Sequence, residues 1–283
     1  KTGVSDYRTF FVGALPAVPE KEPNTEFSAA QAIEQNVTVE GVVQNEDVDY
    51  FVVEAKKGQR LSVEVEGMRF GQTLFDPYIA ILDAKRFELS AVDDSPLVRQ
   101  DAVTSITVPE DGKYIIEMRE SGYGGNGNCR YRLHVGQFPR PTAIFPAGGK
   151  AGDEVEFTFI GDAGGTIKQK VTLPADGRSE VQVFAQDDRG ISPSGHTVRV
   201  SPDPNAFEVE PNNSLAEATA VAFPSAFNGV LEAAGDHDYI KFNAKKGQTY
   251  EVECYGRRIR TGIDPLMHIF RIKDGKALSG NDD

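Results

Sequence analysis

Apolar and polar residues alternate with a period of two over most of the chain. In residues 60–66, Leu61, Val63 and Val65 fall on one side and Ser62, Glu64 and Glu66 on the other, the signature of a strand with one face buried and one in water. Tyr114, Ile116 and Met118 alternate in the same way with Ile115, Glu117 and Arg119, and Val155, Phe157 and Phe159 with Glu154, Glu156 and Thr158. Turn signals separate these runs: Lys57-Gly58, Pro109-Glu110-Asp111-Gly112, Pro174-Ala175-Asp176-Gly177 and Asp274-Gly275. With 28 glycines and 16 prolines, long helices have little room. The helix-like pieces are Ser28 to Glu34 and its echo Ser214 to Ala220, each a turn or two. Many short strands with frequent turns predict an all-β chain of antiparallel sandwiches.

The pattern also repeats on a larger scale. Glu22-Pro23-Asn24 returns 188 residues later as Glu210-Pro211-Asn212, and Asp47-Val48-Asp49-Tyr50 returns 189 residues later as Asp236-His237-Asp238-Tyr239. Ala55-Lys56-Lys57-Gly58-Gln59 matches Ala244-Lys245-Lys246-Gly247-Gln248, Asp76-Pro77 matches Asp264-Pro265, and Asp93-Asp94 matches Asp282-Asp283. Upstream, Gly3-Val4-Ser5 and Thr9 correspond to Gly190-Ile191-Ser192 and Thr197. The boundaries that follow are a terminal strand of a preceding immunoglobulin-like module over 1–13, a complete sandwich over 14–137, a small immunoglobulin-like sandwich over 138–203, and the first half of a second large sandwich over 204–283. A half-sandwich exposes an apolar face and an unpaired edge, so the natural protein is expected to continue beyond Asp283.

Composition narrows the class. The 283 residues carry 43 acidic and 30 basic side chains, a net charge of −13, which would repel a phosphate backbone and argues against nucleic acid. Mean hydropathy is −0.37 and no run of about 18 apolar residues occurs, so no membrane insertion is expected in this segment. The chain opens at Lys1 without a basic and apolar leader, so a signal peptide is either removed or outside this fragment. Cys129 and Cys254 are too distant for a disulfide framework and fall on the apolar side of alternating runs, where they read as small buried hydrophobes.

Taken in order, the repeated motifs are Glu-x-Glu-Pro-Asn, a short Ala-rich piece, a Gly-Val strand, Asp-x-Asp-Tyr, Lys-Gly-Gln, Asp-Pro and Asp-Asp. Their sequence resembles the bacterial pre-peptidase C-terminal domain, over residues 20–137 and again over 208–283. That family includes the collagen-binding modules of clostridial collagenases and the tails of many secreted peptidases. The resemblance implies jelly-roll-like sandwiches that carry Ca2+ near the N-terminal edge, and a location outside the cell or on its surface. Elementary chemistry points the same way: Ca2+ takes six to eight hard oxygen ligands, and every second side chain of an extended segment projects to one side. Glu20, Glu22 and Asn24 are so spaced, with Asp47 and Asp49 able to meet them. Glu208, Glu210, Asn212 and Asn213 face Asp236 and Asp238 in the second copy, where Asn213 stands in place of Thr25. The competing reading makes all of these solvated turn residues, with Asp47 and Asp236 shaping a strand-entry loop. Asp76 with Asp93 and Asp94 is a second, weaker candidate group.

No catalytic constellation is evident. There is no His-Glu-x-x-His, no Gly-x-Ser-x-Gly and no phosphate-cradling loop before a helix. Gly122-Tyr123-Gly124-Gly125-Asn126-Gly127 joins two predicted strands and reads as a flexible hairpin. The expectation is a non-catalytic, calcium-stabilised binding or spacer array of a secreted or cell-surface multidomain bacterial protein, accessory to a peptidase. Its rivals are an adhesive domain that captures an extracellular protein or polysaccharide polymer such as collagen, with Phe70, Tyr123 and Tyr255 as contacts, and a cryptic hydrolase.

Overall fold

The computed structural model describes Gly3 and residues 9–282. Val4, Ser5 and Asp283 of the repeat therefore lie outside the described residues, and residues 9–12 form no strand. The chain is all-β, and its contacts divide it into two compact units. One comprises residues up to Thr142 with Phe159–Ile167 and Phe184–Gly195; the other comprises Ala143–Thr158, Lys168–Val183 and residues from His196 onward. Among the described residues no helix is long and apolar enough to cross a membrane.

The sandwich of the first unit is built on ten strands: β1 (Ala17–Pro19), β2 (Gln31–Ala32), β3 (Val37–Val42), β4 (Val48–Ala55), β5 (Arg60–Glu66), β6 (Pro77–Asp83), β7 (Glu88–Val92), β8 (Val103–Thr107), β9 (Gly112–Glu120) and β10 (Arg130–Gly136), and a small hairpin of Gln186–Asp187 with Gly190–Ile191 belongs to the same unit. They form two five-stranded sheets, ordered β1-β3-β10-β5-β8 and β2-β4-β9-β6-β7. Only the leading strands β1 and β2 pair in parallel, with β3 and β4; the other pairings are antiparallel. Alternation then sorts the side chains as the sequence requires. Phe51 and Val53 of β4, Ile116 and Met118 of β9, Leu61, Val63 and Val65 of β5, and Tyr131, Leu133 and Val135 of β10 meet between the sheets, each no more than 1% exposed. Each such aliphatic or aromatic side chain contributes roughly 1.5–3 kcal/mol by leaving water.

The opposite face of β5 does not meet water. Ser62 and Glu64 are fully buried and Glu66 is 2% exposed, because residues 138–142, 159–167 and 184–195 pack over them. The cover is held by charge. Arg60 donates through Nη1 to Asp162 Oδ1 and through Nη2 to Asp187 Oδ2, each at 2.6 Å. Glu64 accepts from Arg69 Nη2 at 3.0 Å and from the Ser194 hydroxyl, while Arg140 Nε lies 2.7 Å from its other oxygen. Burial by itself would raise the Glu64 carboxyl, but Arg140 and Arg69 outweigh it and hold the group down at about 2. His134 of β10 is also buried, with Nδ1 2.8 Å from the Thr38 hydroxyl and Nε2 3.4 Å from Glu66.

Two loops differ from the sequence reading. The Ser28–Glu34 piece is a single 3-10 turn over Phe27–Ala29 followed by β2, and 214–217 is a turn. The Gly-rich segment 122–127 is pinned to the loop after β3: Glu46 N–H donates to Tyr123 O at 2.9 Å and Asn126 N–H to Val43 O at 3.1 Å. Gly125 has φ 154°, and a Cβ there would stand 2.1 Å from Gln44 O, so only glycine allows this approach.

The second unit holds two three-stranded sheets, one of Ala143–Phe145, Glu154–Ile160 and Ile167–Thr172, the other of Gly148–Lys150, His196–Ser201 and Glu180–Val183. Beyond them lie three separate strand pairs: Asn205–Phe207 with Ala226–Asn228, Thr219–Ala220 with Ile240–Lys241, and Met267–Arg271 with Lys276–Asn281. The first two pairs are parallel, as are β1-β3 and β2-β4 at the corresponding places. Residues 249–255, the counterpart of β5, form no strand. Cys129 is buried as expected, but Cys254 is exposed, because the run it belongs to has no neighbour to pair with.

Candidate metal centre

In the first unit the site grows from three strands. Asp49 shares the inward face of β4 with Phe51 and Val53, so alternation carries a carboxylate to the rim of the core, where it is fully buried. Glu20 continues β1: its N–H donates to Glu40 O at 3.0 Å, and its Oε2 accepts from Val42 N–H at 3.0 Å. The chain then crosses to the other sheet, and Asn24 O accepts from Tyr50 N–H at 3.1 Å. This path brings one carboxylate oxygen each from Glu20, Glu22 and Asp49 within 4.8 Å of one another.

Asn24 is fully buried, and the tip of its amide lies 2.9 Å from Glu22 Oε2 and 3.3 Å from Asp49 Oδ1. With nitrogen turned inward it donates to both; with oxygen turned inward it adds a fourth oxygen to the group. The Tyr131 hydroxyl of β10 lies 2.8 Å from both Glu20 Oε1 and Asp49 Oδ2. Burial, then the adjacent Glu20 charge and its hydrogen bond, push Asp49 up to about 9, although Tyr131 pulls the other way. Burial and the same two carboxylates raise the Tyr131 phenol well above its ordinary value, so it remains a donor. Gly41 makes room: a Cβ there would stand 2.3 Å from Tyr131 Cζ.

The second unit repeats the arrangement. Glu208, Glu210 and Asp238 each place a carboxylate oxygen within 4.8 Å of the others. Val230 N–H donates to Glu208 Oε1 at 2.7 Å, Asn212 N–H to Glu210 Oε2 at 3.0 Å, and Tyr239 N–H to Asn212 O at 3.0 Å. Here Glu208 Oε2, Asp238 Oδ1 and both side-chain atoms of the buried Asn212 lack hydrogen-bond partners. Burial raises both carboxyls; at Glu208 the Val230 N–H opposes it and Asp238 adds to it, and at Asp238 the nearby Asp236 and Glu210 add to it. A Cβ on Gly229 would stand 2.7 Å from Glu208 Oε2 and 3.0 Å from Asp238 Oδ2.

Of the residues singled out from sequence, Asp47, Asp236 and Asn213 are not drawn into these groups. Asp47 accepts from Gln44 N–H at 3.1 Å and from the Thr25 hydroxyl at 3.2 Å; Asp236 accepts from Glu232 N–H at 2.7 Å and Asn213 from His237 N–H at 3.3 Å. They hold the loop that presents Asp49 or Asp238. Asp76 has one buried oxygen without a hydrogen bond and is raised by burial and by Asp94 and Asp93, but these residues do not converge as the other two groups do. Tyr131 was not foreseen. A tyrosine on the apolar side of a strand reads as core, and its only hint was the glycine before Val42, which recurs before Val230.

Paired carboxylates with a buried amide, free of nitrogen or sulfur donors, suit a hard divalent cation. The unpartnered oxygens of the second group, and Gly229 that leaves space beside them, fit such an ion. The first unit is thus a two-sheet β-sandwich module with an acidic group where the chain passes from one sheet to the other. Residues 47–120, well under half of the chain, match the model of the bacterial pre-peptidase C-terminal domain. No curated protein matches the chain. Similar solved structures include the pre-peptidase C-terminal domain of a collagenase from Bacillus anthracis, at 16% identity and TM-score 0.29, covering 38% of this chain and 93% of that one. PliG from Aeromonas hydrophila, a periplasmic inhibitor of g-type lysozyme, gives the same identity and TM-score over 43% and 96%. A β-glucosidase from Paenibacillus barengoltzii is 10% identical with TM-score 0.20, and only 13% of its length is covered.

Proposed function

We propose that this chain is a non-catalytic, calcium-stabilised binding and spacer segment of a secreted or cell-surface bacterial protein, accessory to a peptidase. The observation that carries this reading is the same oxygen-only group appearing twice, Glu20, Glu22, Asn24 and Asp49 in one unit and Glu208, Glu210, Asn212 and Asp238 in the other. Each group lies where an incoming strand joins its sandwich, so an ion there ties the linker to the module behind it. Because the ion binds the folded form, it raises stability by mass action, about 2.7 kcal/mol at a hundredfold excess over Kd. Calorimetric melting in EDTA and in millimolar Ca2+ tests this. The expected result is a rise in melting temperature that Glu22→Gln with Glu210→Gln abolishes, and unchanged melting at millimolar Ca2+ overturns it.

One observation favours adhesion as a second role. Tyr123 is 50% exposed and stacks against Arg119, whose guanidinium also lies 3.8 Å from the Tyr78 ring. Such a platform suits an extracellular polymer. Phe70 packs edge-on against Phe11, and Tyr255 is flanked by Arg199 and Arg258, which gives both a local packing role.

A further inference from the structure

In the second unit a groove of about 420 Å³ lies between Ala143–Phe145, the strand Glu154–Ile160 and the strand Asn205–Phe207. Its volume falls in the range of about 300–1,000 Å³ usual for small-ligand sites. The apolar lining is Phe145, Pro146, Val155 and Phe207. The two phenyl rings stand 6.0 Å apart between centroids at 57° to one another, an open angle instead of a stack, and Phe207 is 47% exposed. Phe207 takes the place that Pro19 holds on β1, and Pro19 is exposed too, so this exposure is a property of the leading strand.

The two sides of the groove are fixed to each other. Asn205 Nδ2 donates to Gly148 O at 2.9 Å, Ala147 N–H to Asn228 Oδ1 at 3.0 Å, and Nδ2 of the buried Asn228 to Asn205 Oδ1 at 3.2 Å. The rings are therefore in position before anything binds, which spares a ligand the cost of ordering them.

The polar rim decides the class of ligand. Asp153, Glu154 and Glu156 line the groove together with Lys150 and Thr158. Lys170 Nζ stands 3.2 Å from Glu154 and Lys168 Nζ 3.9 Å from Glu156, so three carboxylates are matched by three ammonium groups. An incoming cation meets lysines already in place and an anion meets the carboxylates; neither gains from net charge. What the rim offers is acceptors and donors side by side around aromatic faces. A neutral sugar is the complement, with an apolar C–H face for Phe145 and Phe207 and hydroxyls that donate to Asp153 and accept from Lys150. From this match we infer that the groove is a binding subsite for a short stretch of a neutral polysaccharide. It uses none of the residues assigned above to adhesion or to the ion.

Because the chain has no tryptophan, Phe207→Trp places a single fluorophore in the groove of the full chain. The probes are cellohexaose, maltohexaose and the hexamer of N-acetylglucosamine, with oligogalacturonate and hexalysine as charged counterparts. The expected result is a saturable change in emission with at least one neutral hexamer, at a Kd of about 1 mM or below, and binding of both charged probes weaker by about tenfold or more. Saturation-transfer difference NMR on the unsubstituted chain repeats the reading without the tryptophan and decides if the two disagree. Asp153→Ala, at an exposed position, is expected to weaken binding by about tenfold, the loss of one hydrogen bond to a charged group, and Phe145→Ala to abolish it. Phe145 is half-buried; should its variant melt early, Asp153→Ala decides alone. No neutral hexamer bound at about 10 mM, a charged probe bound as tightly as the neutral ones, or binding that Asp153→Ala leaves within about twofold overturns the inference.

Discussion

Replacing Glu64 by glutamine keeps its shape and removes one buried charge, which makes it a clean probe of the cover over β5. Its carboxyl lies between Arg69 and Arg140, side chains 14% and 1% exposed, and is itself fully buried. Moving its pKa from 4.5 in the unfolded chain to about 2 in the folded one corresponds to about 3 kcal/mol at roughly 1.4 kcal/mol per unit. Glu64→Gln also leaves Arg140 without its partner, and breaking a buried pair in this way costs about 3–5 kcal/mol. For a unit of this size that lowers Tm by about 10 °C. Because the chain has no tryptophan, calorimetry or far-UV circular dichroism is the assay, with Arg140→Met and the double variant completing a mutant cycle. The expected double-variant cost lies well below the sum of the single costs. The depressed pKa fixes the pH dependence too: this stabilisation is full above 4.5 and is lost as pH falls from there toward 2. Single costs under about 1 kcal/mol, or strict additivity, would refute the coupling.

Two further outcomes follow from the acidic group of the first unit. Tyr131→Phe removes the hydroxyl that orients Glu20 and Asp49 and is expected to weaken Ca2+ binding there by about tenfold, within the range for residues that position metal ligands; isothermal titration calorimetry against the second group, which has no such hydroxyl, checks it. In EDTA, the raised Asp49 pKa means that the folded chain holds a proton the unfolded one releases. The Asp49 contribution should therefore be full below 3.8 and be lost as pH rises toward about 9, and Ca2+ should flatten that slope because binding expels the proton. A melting temperature in EDTA that rises between pH 6 and pH 9 contradicts this.

The strands were legible because alternation is a local property: the core of β5, β9 and β10 can be read from Leu61, Ile116 and Leu133 without knowing the neighbours. What covers the other face was not, since Ser62, Glu64 and Glu66 look solvated until Arg140, Asp162 and Ser194 arrive from up to 130 residues away. Spacing of two suggested that Glu20, Glu22 and Asn24 lie together, and the structure brings them together where the chain bends at Glu22 and crosses between the sheets. It could not separate Asp49, which enters the strand and turns inward, from Asp47, which stops short of it and bonds to its own loop. Alternation likewise marks Cys254 as buried, yet burial needs partners that residues 249–255 do not have.

The crossing of the chain between sheets has a mechanical meaning. Glu20 extends from one layer, Asp49 belongs to the other, and the phenol of Tyr131 reaches from the first layer to touch both. With both cysteines unbridged, no disulfide spans the sandwich, and this polar knot adds to the β1–β3 pairing in holding the leading strand. Its charge depends on protons instead of oxidants, so the entrance of the module answers to the acidity of the medium while the apolar interior stays shut.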